Sequence, residues 1–313
     1  MDDKLIVSSS PHIGSGVETK NIMIDVIVAL MPALIASVYY FGVRVLLVTC
    51  ASVATCVISE YICRRVMKRP NTISDCSAIV TGILLAYNLP SGLPIWIVVI
   101  GGVVAIVVVK QMFGGIGNNF VNPAVTARIV LMISFPVLMT TWPAIHSGTD
   151  AVTTATPLGL LAEGSLNELP SYLDLFLGAH GGSLGEVCGL ALLIGGVYLV
   201  VRKVISPIIP VTYIAVVFIF SAILGYDPVV QILSGGLFLG AIFMATDYAT
   251  CPLTIKGKFI YAVGCGLLTT IIRAFASLPE GVSFSIIIIN ILVPHIERLT
   301  MPRAFGTRKG VVK

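Results

Sequence analysis

The chain is dominated by apolar runs close to twenty residues long, set apart by short polar stretches rich in glycine and proline. A bilayer core ~30 Å thick takes about 20 apolar residues per helix, so runs of this length limit the fold more than any other feature. About ten such runs can be marked, at roughly 22–42, 45–63, 76–90, 94–110, 122–139, 184–201, 207–225, 229–246, 258–276 and 282–299. Charged residues make up only 11% of the chain, where a soluble domain carries about 25%. So few charges cannot cover an aqueous surface. That excludes a soluble globule, a disordered chain and a basic nucleic-acid binder, so no nucleic-acid partner is expected. A transmembrane barrel would show alternating segments of ~10 residues. The expectation is an all-α polytopic membrane protein with ~10 transmembrane helices.

Lysine and arginine orient the spans, because cytoplasmic loops hold most of them. With the N-terminus inside, sixteen of the nineteen basic residues fall on inside segments. The exceptions are Arg44 at an outer turn and Arg128 and Arg273 within spans. Residues 136–183 contain no Lys or Arg and carry Asp150, Glu163, Glu168 and Asp174, so this stretch is expected outside. Both termini are then cytoplasmic. The polar N-terminus shows no cleavable signal peptide.

Two stretches resemble each other. One runs from Gly82 through Asn88 and Pro90 to a span with Gly101-Gly102 that ends at Lys110. The other runs from Gly240 through Asp247 and Pro252 to a span with Gly264 and Gly266 that ends at Arg273. Five spans separate the copies, and an odd separation makes them cross in opposite senses. This is the inverted-repeat pattern of many transport proteins, whose sites lie between interrupted helices at the repeat interface. The expected organisation is an N-terminal arm (1–21), a first five-helix repeat (22–139), an outer loop (140–183), a second repeat (184–299) and a basic tail (300–313).

Each half supplies an interruption. Phe113–Ala124 combines glycines and Pro123 with Asn118, Asn119 and Asn122; Ala245–Pro252 contains Thr246 and Asp247. Irregular backbone at membrane depth is tolerated only where it is buried or lines a cavity. Charges in spans are costly and are functional candidates by default, which singles out Asp25, Arg128, Asp247 and Arg273. Asp25 and Asp247 are expected to pair with Arg128 or Arg273, to reach water or to be protonated, and Glu60 and Glu186 to sit at interfaces. The seven cysteines show no Cys-x-x-Cys spacing and the four histidines no metal spacing. The cysteines read as small buried hydrophobes, with a cluster shared with a partner subunit as the alternative. No metal site is expected.

The outer loop adds a different chemistry. Residues 150–157 read Asp-Ala-Val-Thr-Thr-Ala-Thr-Pro. This resembles the flavinylation motif Asp-x-x-Ser/Thr-Gly-Ala-Thr, matched by Asp150, Thr153, Ala155 and Thr156, with Thr154 in place of the usual glycine. Together with Phe-Gly-Gly-x-Gly-x-Asn…Asn-Pro-Ala at 113–124, Asp75–Gly82 and Ala245–Asp247, the pattern resembles the NqrB/RnfD family over nearly the whole chain. The short N-terminal arm fits the RnfD branch better than the NqrB branch.

That resemblance implies a subunit of an ion-translocating electron transport complex in a prokaryotic cell membrane. It implies FMN on Thr156 through a phosphoester, attached by a separate flavin transferase acting on FAD, and a second, non-covalent flavin, riboflavin, inside the membrane. The second flavin is expected near Asn118, Asn119 and Asn122. Ferredoxin and NAD+ would be handled by other subunits of the complex, since no site for either is visible on this chain. Two other readings stay open at this point: an NqrB-like subunit of a quinone-reducing sodium pump, and a cofactor-free channel or carrier on the same repeat.

Overall fold

The computed structural model describes residues 18–143, 156–162, 169–276 and 281–302. Among these the chain is helical, with no strand ladder. In order come α1 (Thr19–Phe41), α2 (Arg44–Val66), α3 (Ser77–Tyr87), α4 (Ile95–Val103), α5 (Pro123–Ser134), α6 (Pro136–Met139), α7 (Pro157–Ala162) and α8 (Tyr172–Leu177). Then follow α9 (Gly189–Val201), α10 (Ile208–Ile223), α11 (Pro228–Leu233), α12 (Leu237–Leu239), α13 (Ile255–Phe275) and α14 (Gly281–Thr300). A wider π-helical stretch, Val104–Gln111, extends α4, and another, Gly240–Met244, extends α12.

Each apolar run of the sequence coincides with a helix or a pair of short ones. Only four described helices, α1, α2, α13 and α14, are long and apolar enough to cross a bilayer unaided. The others are cut short where the sequence breaks helix. Pro90 and Pro94 bound the gap after α3, Phe135-Pro136 separates α5 from α6, and Gly235-Gly236, both at positive φ, separate α11 from α12. Alpha1 begins at Thr19, three residues before the expected span.

Close approach between helices rests on small residues, as packing in lipid requires. A Cβ on Gly195 of α9 would collide with the Ala29 carbonyl of α1, and one on Gly82 of α3 would lie 2.7 Å from the Val53 backbone of α2. Tyr87, Tyr213 and Tyr261 are fully buried. A buried phenol needs a partner, and each has one on another helix: the Leu30 carbonyl at 2.7 Å, Thr269 and Ser285 at 2.6 and 2.9 Å, and Asn290 at 2.7 Å. Large apolar side chains such as Ile35, Tyr39, Val66 and Phe275 point outward, as a lipid-facing surface demands.

The helix ends gather on two faces. One holds Arg64, Arg65, Lys68, Arg69, Arg202, Lys203, Lys256, Lys258 and Arg298, tied by Arg69 to the Gln111 carbonyl and by Leu253 N–H to Glu297. We call it the basic face. The opposite face is closed by Arg44 on the Gly92 carbonyl, Tyr40 on the Leu177 carbonyl and Tyr172 on Asp227. There the segment before α9 docks onto the break after α3, with Leu184 N–H on the Leu89 carbonyl and Gly185 N–H on that of Tyr87, both at 3.0 Å. Ser37 of α1 also donates to the Leu184 carbonyl.

Candidate functional site

On the basic face, the interruptions of the two halves meet. Gly114, Gly115 and Gly117 take positive φ, which a side chain would strain. They turn the chain after Gln111 so that Phe113 and Phe120 stack edge to face at 4.8 Å. Asn122 then caps α5: its side-chain oxygen accepts from the N–H groups of Ala124 and Val125, and Pro123 occupies the first helical position, where no N–H is needed. The Asn122 amide donates to the Met244 carbonyl at 3.2 Å, linking the halves. Asp247 follows Met244 closely, and its carboxylate accepts from Ala249 N–H and Thr250 Oγ1.

Around this junction lie two adjoining cavities. The smaller, about 100 Å³, is bounded by Ser77, Lys110, Asn119, Asn122, Thr246 and Asp247 among apolar walls. The larger, about 580 Å³, is bounded by Phe120, Tyr248, Thr250 and Asn290 on polar and aromatic sides. Met23, Ile116, Asp247, Tyr248 and Ala249 line both, so the two cavities adjoin. The larger alone is of a size that suits a drug-sized ligand, which takes ~300–1,000 Å³. Aromatic walls with a few placed amides and hydroxyls fit an isoalloxazine ring.

Of the three asparagines singled out by sequence, Asn119 and Asn122 line the smaller cavity, while Asn118 is exposed and lines neither. Asp247 faces both. Asp25 lines neither; it accepts from Tyr198 at 2.9 Å and pairs with Arg202 at 3.2 Å. Arg202 is 56% exposed, so this pair sits at the boundary of the basic face. The expected pairing of Asp25 and Asp247 with Arg128 or Arg273 is therefore corrected: depth in a span says nothing about which helix faces which.

Arg128 meets Glu186 at 2.5 Å, and the same guanidinium donates to Asn88 at 2.6 Å. Arg273 donates to the carbonyls of Gln231, Ser234 and Gly235 at 2.6–3.2 Å. Another buried charge, at Lys110, escapes the sequence reading. Lys110 reads as a cytoplasmic cation at the end of the 94–110 span. Instead its ammonium pairs with Glu60 at 2.8 Å and donates to Ser77 at 2.6 Å, with the Lys110 and Glu60 side chains 4% and 0% exposed. Of Glu60 and Glu186, both expected at interfaces, Glu60 is fully buried in α2 against Lys110, and Glu186, in the turn before α9, keeps only 7% of its side chain exposed against Arg128 of α5. The π-helical stretch widens the last turns of its span and carries Lys110 and Gln111 inward, where both are buried. Among the described residues no His, Cys, Asp and Glu cluster suits a metal.

Near the opposite face, Thr156 precedes α7. Its hydroxyl oxygen accepts from Gly159 N–H at 3.2 Å, Pro157 follows at the first helical position, and Leu158 is buried. Asp150, Thr153, Thr154 and Ala155 lie outside the described residues.

Many apolar helices, several of them broken, with buried ion pairs and adjoining cavities between them, define a polytopic all-α membrane protein. The chain belongs to the NQR2, RnfD, RnfE family, whose model matches residues 6–306. It is 50% identical over 307 residues to the D subunit of the Na(+)-translocating ferredoxin:NAD(+) oxidoreductase complex of Acetobacterium woodii, covering 97% of this chain and 96% of that one. It is 42% identical to the D subunit of the proton-translocating ferredoxin:NAD(+) oxidoreductase complex of Clostridium ljungdahlii, with the same coverage. The D subunit of the ion-translocating oxidoreductase complex of Stutzerimonas stutzeri is 38% identical over 91% of each chain.

Proposed function

We propose that this chain is the D subunit of an Rnf-type, ion-translocating ferredoxin:NAD+ oxidoreductase complex in a prokaryotic cell membrane. The reading is carried by the near end-to-end similarity to D subunits of two such complexes. The chain has no complete active site of its own; other subunits take ferredoxin and NAD+. Its basic face is cytoplasmic, in keeping with the partition of lysine and arginine, and α7 lies toward the outer side. The two halves are inverted repeats, with the cavities at their interface.

Thr156 carries FMN, attached by a flavin transferase, and the adjoining cavities take riboflavin. Bound flavins supply the electron transfer; the protein supplies position and electrostatics. Asn119 faces the smaller cavity, Asn290 and Thr250 the larger, and all three have the amide or hydroxyl chemistry to orient a ring. Asn122 holds the two halves in register around them. Asp247 faces both cavities and is the candidate carboxylate for the coupling ion. The relatives are named for Na+ in one case and for protons in the other, and a carboxylate beside the Thr250 hydroxyl serves either.

The test is the flavin content of the complex purified from cells that also make the transferase. One covalent and one acid-extractable flavin are expected on this chain. A preparation with no flavin on this chain contradicts the reading.

A further inference from the structure

Arg273 lines neither cavity, and its guanidinium reaches several backbone carbonyls of a single turn as well as the Gln231 side chain. Alpha11 ends at Leu233, and Gly235 and Gly236 both adopt positive φ before α12 begins, so the carbonyls of this turn lie outside regular helix bonding. Arg273, in the last turn of α13, reaches the carbonyls of Gln231 at 2.6 Å, Ser234 at 3.0 Å and Gly235 at 3.2 Å. A planar guanidinium with five N–H donors can hold several acceptors at once, where an ammonium cannot match the fork.

The turn so held is a contact surface. A Cβ on Gly235 would collide with the Leu158 side chain and would lie 2.7 Å from Arg273 Nη2. Leu158 is 6% exposed and is the second residue after Thr156. Alpha7 is six residues long, far below the ~12–15 residues at which an isolated helix becomes even marginally stable. Its position must come from tertiary contact, and among the described residues Leu158 against Gly235 is one such contact.

We propose that the Gln231–Gly236 turn, clamped by Arg273, is the seat of the Thr156 helix, and that Leu158, Gly235 and Arg273 are positioning residues that fix where a flavin on Thr156 rests. This rests on the reading of Thr156 as the attachment residue. The three residues take no part in attachment, because a modifying enzyme must reach Thr156 from outside and uses the hydroxyl itself. Their effect is on the freedom of the segment.

The experiment uses the whole complex made with its flavin transferase. Leu158→Ala and Arg273→Gln are compared with Leu158→Met and with the parent. Hydrogen exchange of the α7 amides and fluorescence anisotropy of the covalent flavin are read, beside covalent flavin per chain. For Leu158→Ala and Arg273→Gln, exchange in α7 rises about tenfold or more and anisotropy falls, while covalent flavin per chain is kept. Leu158→Met conserves volume and behaves like the parent. Arg273→Lys, the milder variant should Arg273→Gln fail to assemble, loosens α7 although its charge is kept. Unchanged exchange and anisotropy in Leu158→Ala and Arg273→Lys overturn the seat. Covalent fluorescence that survives Thr156→Ala overturns instead the attachment reading, and the exchange result alone then decides whether the seat holds α7.

Discussion

Lys110→Met is a sharp probe of how charge is tolerated inside this fold. The substitution keeps length and volume but removes the ammonium that sits 2.8 Å from Glu60 and 2.6 Å from Ser77. Glu60 is fully buried, and its other described bond is from the Thr72 hydroxyl at 3.3 Å. A carboxylate kept ionised there would lose its counter-ion and most of its hydrogen bonding. Breaking a buried pair from one side costs ~3–5 kcal/mol, against a total stability of ~5–15 kcal/mol for an ordinary domain. The measurement is unfolding of the purified chain or complex in mixed micelles, titrated with a denaturing detergent and followed by tryptophan fluorescence. Lys110→Met should lower stability by ~3 kcal/mol or more. The double variant Lys110→Met with Glu60→Leu should recover most of that, because the charge pair's attraction is largely offset by its own desolvation. Asp25→Asn serves as contrast: its partner Arg202 is half in solvent, so stability should stay near the parent. A loss below ~1 kcal/mol for Lys110→Met, or a double variant no better than the single, would refute the reasoning.

Three further outcomes are expected. Asp247→Asn should keep assembly and both flavins yet lose ion transport coupled to ferredoxin oxidation; lower complex yield with normal pumping in what survives would make Asp247 a structural residue. Asn119→Leu should lower acid-extractable riboflavin with little change in stability, whereas Asn122→Leu should also destabilise by ~0.5–2 kcal/mol through loss of the α5 cap; equal riboflavin in both variants and the parent would move the second flavin elsewhere. A cysteine placed at Ser165, in a background stripped of native cysteines, should react with an impermeant thiol reagent on intact cells, and labelling only after lysis would invert the topology.

Much of the fold can be read from the chain because the signals are local. Apolar runs mark where helices lie, and Pro90, Pro94 and Pro123 mark where they start or stop, while the breaks at Pro136 and Gly235-Gly236 fall inside runs that read as single spans. The junction of the 113–124 and 245–252 stretches is also legible, since helix-breaking polar backbone at membrane depth needs a cavity or a buried partner. Pairing is not. Lys110 meets Glu60 fifty residues away, Arg128 meets Glu186 fifty-eight away, and Asp25 meets Arg202 at a separation of 177. Such contacts depend on which faces of which helices meet, and no periodicity records that. The π-helical turn that buries Lys110 is equally invisible, because its residues read as an ordinary apolar run. Arg273 reads as an ion-path charge by depth; its carbonyl partners come from a turn 38 to 42 residues earlier.

The central claim is that this subunit carries a flavin at Thr156, across the molecule from a second flavin in the cavity by Asp247. Peptide mass mapping of the chain, made together with its flavin transferase, tests it most directly. The account predicts that the peptide containing Thr156 gains the mass of FMN less water, with fragment ions placing it on Thr156, and that Thr156→Ala removes both the added mass and the in-gel fluorescence. An unmodified Thr156 peptide from a complex that oxidises ferredoxin, or FMN on Thr153 or Thr154 instead, would contradict it.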